Sequence, residues 1–307
     1  MPEHDKWSRW LAETRFGGDE KAAERGLAGL RRIRDGLLAK AGLEEGKILL
    51  DVGAGEGLIA FGAVEKIGAT GRVIISDISD PLLEHCRGAA EQLGVLDRCS
   101  FVKASAEDLS PIESESVDVV ATRSVLIYVD DKQRALKEFF RVLKPGGRTA
   151  LFEPIDDHRL KDDSRYWSMR RLGATAEEAA PIRDLLEKIA QHRAQMLPVN
   201  EAMTNFNERD LVRMCVDAGF AGVHTEFYLD VWPNPPMRWE TVMNSSGNPL
   251  IPTLGEMLRE IFNDEELARY EKYMRPLIER GGNLARHQGS FTWAYKAPLP
   301  KSPLGAS

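Results

Sequence analysis

The stretch Ile48-Leu49-Leu50-Asp51-Val52-Gly53-Ala54-Gly55-Glu56-Gly57 decides the fold. Ile48 to Leu50 is a continuous apolar run of the kind buried on both faces of a parallel sheet. An acid follows, then three glycines at alternate positions, and an apolar helix begins beyond them. Glycine allows the dihedrals that a sharp strand-to-helix turn needs, and it lets a ligand approach the backbone without meeting a Cβ. The helix points its unpaired N–H groups back at that turn. The expectation is a cradle for a nucleotide-like ligand.

Spacing separates one kind of cradle from another. A dinucleotide site wants Gly-x-Gly-x-x-Gly, which counted from Gly53 needs a glycine where this chain has Leu58; its third glycine is Gly57. NAD-linked oxidoreduction is disfavoured on that ground. A second run, Arg72-Val73-Ile74-Ile75-Ser76-Asp77, ends in an acid, where nucleotide-binding α/β folds place a carboxylate for the ribose hydroxyls. An ordinary βα turn and a surface acid explain each feature singly; a ligand site explains both together.

Outward from these two strands the chain alternates. Asp80-Pro81 starts a helix, with an acidic cap and a proline where the missing N–H costs nothing. Ser100 to Lys103 reads as a third strand and Val117 to Thr122 as a fourth. A helix from about Lys132 to Leu143 buries Ala135, Leu136, Phe139 and Phe140, and Lys144-Pro145-Gly146-Gly147 turns it into a fifth strand, Arg148 to Phe152. Such alternation means right-handed crossovers and a parallel sheet covered on both faces.

In order and spacing, residues 48–153 resemble the catalytic core of class I S-adenosylmethionine (SAM)-dependent methyltransferases, of the broad group acting on small molecules. The resemblance rests on Leu50-Asp51-Val52-Gly53-Ala54-Gly55-Glu56-Gly57, on Asp77, on Ala104-Ser105-Ala106-Glu107-Asp108-Leu109, on Val117-Asp118-Val119-Val120, and on Arg141-Val142-Leu143-Lys144-Pro145-Gly146-Gly147. It covers about a third of the chain. It implies a Rossmann-like α/β fold with a seven-stranded, mostly parallel sheet and helices on both faces. It also implies SAM as cofactor and S-adenosylhomocysteine as product. Gly53, Ala54, Gly55 and Gly57 would cradle the methionine part and Asp51 its amino group. Asp77, with Ile78 beside it, would take the ribose. Ser105, Ala106 and Glu107 would line the adenine, Ser105 standing where the family usually has Asp. Arg123 and Ser124 follow the fourth strand, beside the transferring methyl.

Past Glu153 the pattern loosens. The Asn207 helix and a sixth strand, Gly222 to Val231, return to the sheet, and Ser290 to Lys296 reads as a seventh. The expected division is an N-terminal helical lid (1–42), the SAM-binding core (43–155), a helical insertion (156–206), a return to the core (207–231), a second helical insertion (232–289), and the last strand with a tail (290–307). Both insertions leave carboxyl ends of strands, where ligands sit in open sheets, so a mostly helical cap over the acceptor is expected. Peripheral decoration or a dimer interface is the competing reading. Trp7, Trp10 and Leu11 share one helical face; that stripe either packs on the core or forms a mobile lid.

Candidate catalytic residues are Arg123, Tyr128 and Glu153. Arg123 is suited to grip an acceptor carboxylate or to pair with an acid such as Glu153. Tyr128 either orients the acceptor or packs, and Glu153 ends the fifth strand as a polar contact. Tyr166, Trp167, Phe206, Tyr228, Trp232 and Trp239 are candidates for an apolar pocket, and Arg159, Arg165, Arg170 and Arg171 suggest an acceptor with an acidic group. The acceptor is expected to be a small molecule or peptide natural product, methylated on oxygen or nitrogen rather than carbon. A SAM-binding protein without methyl transfer is the alternative.

The net charge of −7 argues against a general nucleic-acid or anionic-membrane binder. No stretch approaches the roughly 18 apolar residues of a membrane span. The start lacks the basic-then-apolar order of a signal peptide. Cys86, Cys99 and Cys215 show neither metal-ligand spacing nor pairing and suit a reducing cytoplasm. A cytoplasmic enzyme without metal, compatible with a homodimer, is expected.

Overall fold

The computed structural model describes residues 5–155, 179–196, 201–282 and 284–298. Its strands are β1 (Ile48–Val52), β2 (Arg72–Asp77), β3 (Cys99–Lys103), β4 (Val117–Arg123), β5 (Leu143–Pro154), β6 (Ala221–Pro233) and β7 (Leu284–Tyr295). They form one seven-stranded sheet in the order β3-β2-β1-β4-β5-β7-β6. β1 to β5 pair in parallel, and β7 runs antiparallel to both β5 and β6. The chain winds one way from β1 to β3 and the other way from β4, so a crevice opens at the carboxyl ends of β1 and β4.

Alternation along the strands sorts two cores onto the two faces. Leu49, Val73, Ile75, Val119 and Ala121 join Leu37 and Leu38 of α2 (Glu20–Ala41), Ile59 and Ala63 of α3 (Leu58–Val64), and Leu83 and Cys86 of α4 (Asp80–Gln92). Leu50, Val52 and Val120 meet Leu136 and Phe139 of α5 (Lys132–Val142) and, from the later helices, Leu211 and Cys215 of α8 (Glu208–Asp217). Helix ends follow their capping residues. Asp19 accepts from Ala22 N–H and Gly42 closes α2 at φ 63°. Ser79 accepts from Leu82 N–H with Pro81 in the first turn of α4. Asp131 caps α5.

Residues of both insertions form a separate helical unit. α6 (Arg183–Met196), α9 (Trp239–Met243), α10 (Leu254–Ile261) and α11 (Asp264–Arg280) share a core containing Leu185, Trp239, Leu258, Phe262, Tyr270 and Met274. Capping boxes at Thr253/Glu256 and Asn263/Glu266 start α10 and α11. A short helix, α7 (Glu201–Thr204), leads into α8.

Three boundaries differ from expectation. β7 begins at Leu284 rather than Ser290, and β6 runs to Pro233. Beyond the Pro154–Gly289 pair, where β5 stops, they continue as a two-stranded ribbon as far as Pro233–Leu284. A ribbon held by its own ladder needs no inward apolar alternation, so it leaves little trace in sequence. β5 absorbs the glycine turn, its register passing from Val117–Leu143 to Val119–Arg148 through an irregularity. Among the described residues no helix is long and apolar enough to cross a membrane.

Candidate active site

The glycine turn after β1 is fixed from three sides. Gly53, Gly55 and Gly57 have φ of 64°, 56° and 78°, a region costly for residues with a Cβ. A Cβ on Gly53 would lie 2.4 Å from Val125 Cγ2, so the turn nests against the loop after β4. Gly55 N–H donates to Asp77 Oδ2 at 2.9 Å, and Ser79 N–H donates to Asp77 Oδ1 at 2.9 Å. Asp77 thereby ties the end of β2 to the turn of β1. Ala60 N–H, in the first turn of α3, donates to Asp51 Oδ2 at 2.9 Å. Gly57 serves the helix rather than the cavity: it caps α3, and a Cβ there would strike the Phe61 ring at 2.3 Å.

Above the turn lies a cavity of about 490 Å³. Asp51, Gly53, Ala54, Gly55, Asp77 and Ile78 form its floor. Ser105, Ala106 and Glu107 stand on the β3 side, and Arg123, Ser124 and Tyr128 on the β4 side. Of the expected cofactor contacts only Gly57 is outside this lining. Asp51 is 1% exposed, and burial pushes its carboxyl up to about 7. Burial also raises Asp77. Two buried carboxylates facing one cavity suit a ligand that brings an ammonium and hydroxyls, which fits S-adenosylmethionine.

An ammonium placed beside Asp51 would favour the ionised carboxylate, so its pKa should fall on binding. Binding of S-adenosylhomocysteine is therefore expected to release a proton below about pH 7. Affinity should rise with pH, by up to about tenfold per unit, and level off above about 7. Calorimetry in buffers of different ionisation enthalpy checks this; Asp51→Asn should abolish the proton release.

The β4 side is held by Glu153, which does not line the cavity. It is fully buried, and its carboxylate accepts from Val125 N–H at 3.1 Å, Leu126 N–H at 3.0 Å and Ile127 N–H at 3.2 Å. Burial pushes its carboxyl up to about 7 against the pull of those donors. Where a polar contact to the acceptor was expected, the structure has a residue that shapes the loop carrying Arg123 and Tyr128. Ser124 in that loop adopts φ 56°, a strained conformation for a non-glycine residue. Arg123 donates to Ser124 Oγ at 3.3 Å and, among the described residues, forms no ion pair, with Glu153 or otherwise.

The lining contributed by the N-terminal segment exceeds what the sequence suggested. α1 (Lys6–Arg9) continues into a π-helical turn, Trp10–Thr14. Trp7, Trp10, Leu11 and Arg15 face the cavity, joined by Leu27 and Arg31 of α2. The Trp7 ring meets the Tyr128 ring edge-on at 5.0 Å. The apolar stripe was the available signal; Arg15, one turn further, was not singled out. The helical unit braces this segment from outside: Trp10 Nε1 donates to Ser246 O at 3.0 Å, and Thr241 Oγ1 donates to Asp19 Oδ2 at 2.7 Å.

The aromatic residues expected to line an acceptor pocket are elsewhere. Phe206 lies in the main core and Trp239 in the helical unit. Tyr228 packs beside Phe152 and Phe291, and Trp232 is 65% exposed. No described residue of the helical unit lines the cavity, so its nearest cover is the N-terminal segment. Side chains from insertions follow the nearest unfilled core, which sequence does not locate. Arg159, Arg165, Tyr166, Trp167, Arg170 and Arg171 fall outside the described residues.

Comparison with known proteins agrees with this geometry. A model of the methyltransferase domain matches residues 50–151. The ubiquinone/menaquinone biosynthesis C-methyltransferase UbiE of Psychromonas ingrahamii is 30% identical over 192 residues, covering 60% of this chain and 75% of that protein. The UbiE of Salmonella paratyphi B is 32% identical over 189 residues, covering 60% and 70%. Among solved structures, a putative sarcosine dimethylglycine methyltransferase from Galdieria sulphuraria superposes with a TM-score of 0.53 at 18% identity, covering 96% of this chain and 100% of that one; at that identity the likeness is one of fold. The sheet order, the glycine turn tied to Asp77 and these relatives together establish that the chain belongs to the class I SAM-dependent methyltransferases.

Proposed function

We propose that the enzyme methylates an oxygen or nitrogen atom of a small molecule or short peptide that enters the cavity at its Arg123–Tyr128 end. The observation supporting this is the cavity itself: about 490 Å³, closed between the glycine turn and the N-terminal segment, with apolar Trp7 and Leu11 beside Tyr128. That volume falls within the range of small-ligand sites and leaves little space beyond the cofactor. The cofactor, when bound, supplies a methyl group already activated as an electrophile on a sulfonium. The chain's residues then have two tasks. Asp51, Asp77 and the glycine turn hold one reactant, while Trp7, Trp10 and Tyr128 exclude water and orient the other. Orientation of this kind contributes roughly 7–11 kcal/mol to a bimolecular step. Among the described residues no histidine lines the cavity, so an acceptor with its own available lone pair suits the site better than one requiring a strong base.

Carbon methylation is a second reading, favoured by the names of the UbiE relatives. Incubation with tritiated-methyl SAM and fractionated extracts tests both. Label in a small-molecule fraction, located by mass spectrometry and NMR on oxygen or nitrogen, is the expected result. Label on carbon would transfer the assignment to the second reading. Label confined to large proteins or nucleic acid would overturn both.

A further inference from the structure

The exposed apolar residues of this chain gather on one strand. Phe227, Leu229, Val231 and Trp232 are 40, 48, 50 and 65% exposed and fall within six positions of β6. Single apolar residues on a surface are ordinary, whereas a cluster marks an interaction site. β6 is the last strand in the order β3-β2-β1-β4-β5-β7-β6, so its outer edge meets no described strand. The sheet's two edges contrast. β3 has five residues and ends in Lys103, which pairs with Asp80. β6 has thirteen, and from His224 to Trp232 it contains no lysine, proline or glycine. Short length, lysine and proline are what keep edge strands from pairing, and this stretch has none of them.

The order of residues says which strand fits beside it. Side chains alternate faces along a strand, so Phe227, Leu229 and Val231 share one face while Glu226, Tyr228, Asp230 and Trp232 share the other. Consider a second β6 running antiparallel about a two-fold axis at Leu229. Leu229 then meets the partner's Leu229, and Phe227 meets the partner's Val231. Both are apolar cross-strand pairs of the kind that stabilise sheets. On the other face Tyr228 meets the partner's Asp230 and Glu226 meets the partner's Trp232, so no two like charges stand opposite. Neighbouring registers are worse. An axis at Tyr228 sets Glu226 against the partner's Asp230, and one at Asp230 sets that acid against the partner's Asp230, both destabilising. An axis at Phe227 sets Leu229 against the partner's Thr225 and runs the pairing into the register shift between Ala221 and His224.

We infer that β6 pairs with β6 of a second copy of this chain, antiparallel and centred on Leu229, joining two seven-stranded sheets into one. Such an interface is isologous, the same strand serving on both sides. Its residues do not line the cavity, so each copy keeps its own site.

The test is sedimentation of the full chain over about 1 to 100 µM, where an interface at the small end of the size range dissociates. Wild type is expected to be a dimer at the upper end. Leu229→Lys places two like charges against each other at the axis and should weaken the dimer by about 10- to 100-fold. Its affinity for S-adenosylhomocysteine, which reports an intact fold, should match wild type. Register is read by cross-linking. Leu229→Cys puts two thiols on directly opposite residues, with Cα atoms about 4.5–5.5 Å apart, within reach of a disulfide; mild oxidation should give a covalent dimer. Val231→Cys stands about 13 Å from its copy and should not link. A wild-type monomer throughout the range would overturn the pairing and leave the strand to another protein or to another segment of this chain. A dimer that Leu229→Lys leaves intact would overturn it equally, by placing the interface elsewhere. So would linking through Val231→Cys in preference to Leu229→Cys.

Discussion

Replacing Glu153 with Ala is expected to cost on the order of 4 kcal/mol of folding stability, although that residue does not line the cavity. Its carboxylate takes three consecutive backbone N–H groups, of Val125, Leu126 and Ile127, at a fully buried site. Each donor stranded without a partner costs about 1–3 kcal/mol, and water entering the gap would recover part of that. The loop so held contains the strained Ser124, with Arg123 before it and Tyr128 beyond. Activity should therefore fall further than stability accounts for, measured at a temperature where the variant remains folded. Glu153→Gln keeps the shape but turns an NH2 group toward one of those N–H donors, so it should be only partly better. Urea unfolding of the three proteins measures the effect; a loss under about 1 kcal/mol for Glu153→Ala would show that the loop is held by something else.

Asp77→Ala is expected to weaken S-adenosylhomocysteine by about 1.5–3 kcal/mol, roughly 10- to 150-fold. Part of the loss is direct, through hydrogen bonds from ribose hydroxyls to a carboxylate. Part is indirect, because the same carboxylate accepts from Gly55 N–H and Ser79 N–H and so ties β1 to β2 at the mouth of the cavity. Comparing S-adenosylhomocysteine with adenosine separates the two: a ribose contact penalises both ligands alike. Unchanged affinity for either would remove Asp77 from the ribose site.

These two acids illustrate how differently a site is written into a chain. Asp77 is legible because its place follows from local pattern: a strand ends in an acid, one unit beyond a glycine turn. Glu153 also ends a strand, yet its task depends on the loop of a neighbouring strand lying within reach of its oxygens. The spacing of Gly57 points to the cradle; that a Cβ there would also strike the Phe61 ring at the start of α3 is visible only in the tertiary structure.

Arg15 belongs to the same class as Glu153. Its neighbours in the cavity, Glu56 and Arg123, are distant in sequence, so no local spacing singles it out.

Sequence alone determined the sheet, its two apolar faces and the floor of the cavity, because strand periodicity, glycine dihedrals and capping residues act over a few neighbouring positions. The tertiary structure alone decided what closes that floor: the N-terminal segment lies over it, braced by the helical unit through Ser246 and Thr241. Which surface covers which is settled by contacts between residues far apart in the chain, and their complementarity has no periodic signature along it.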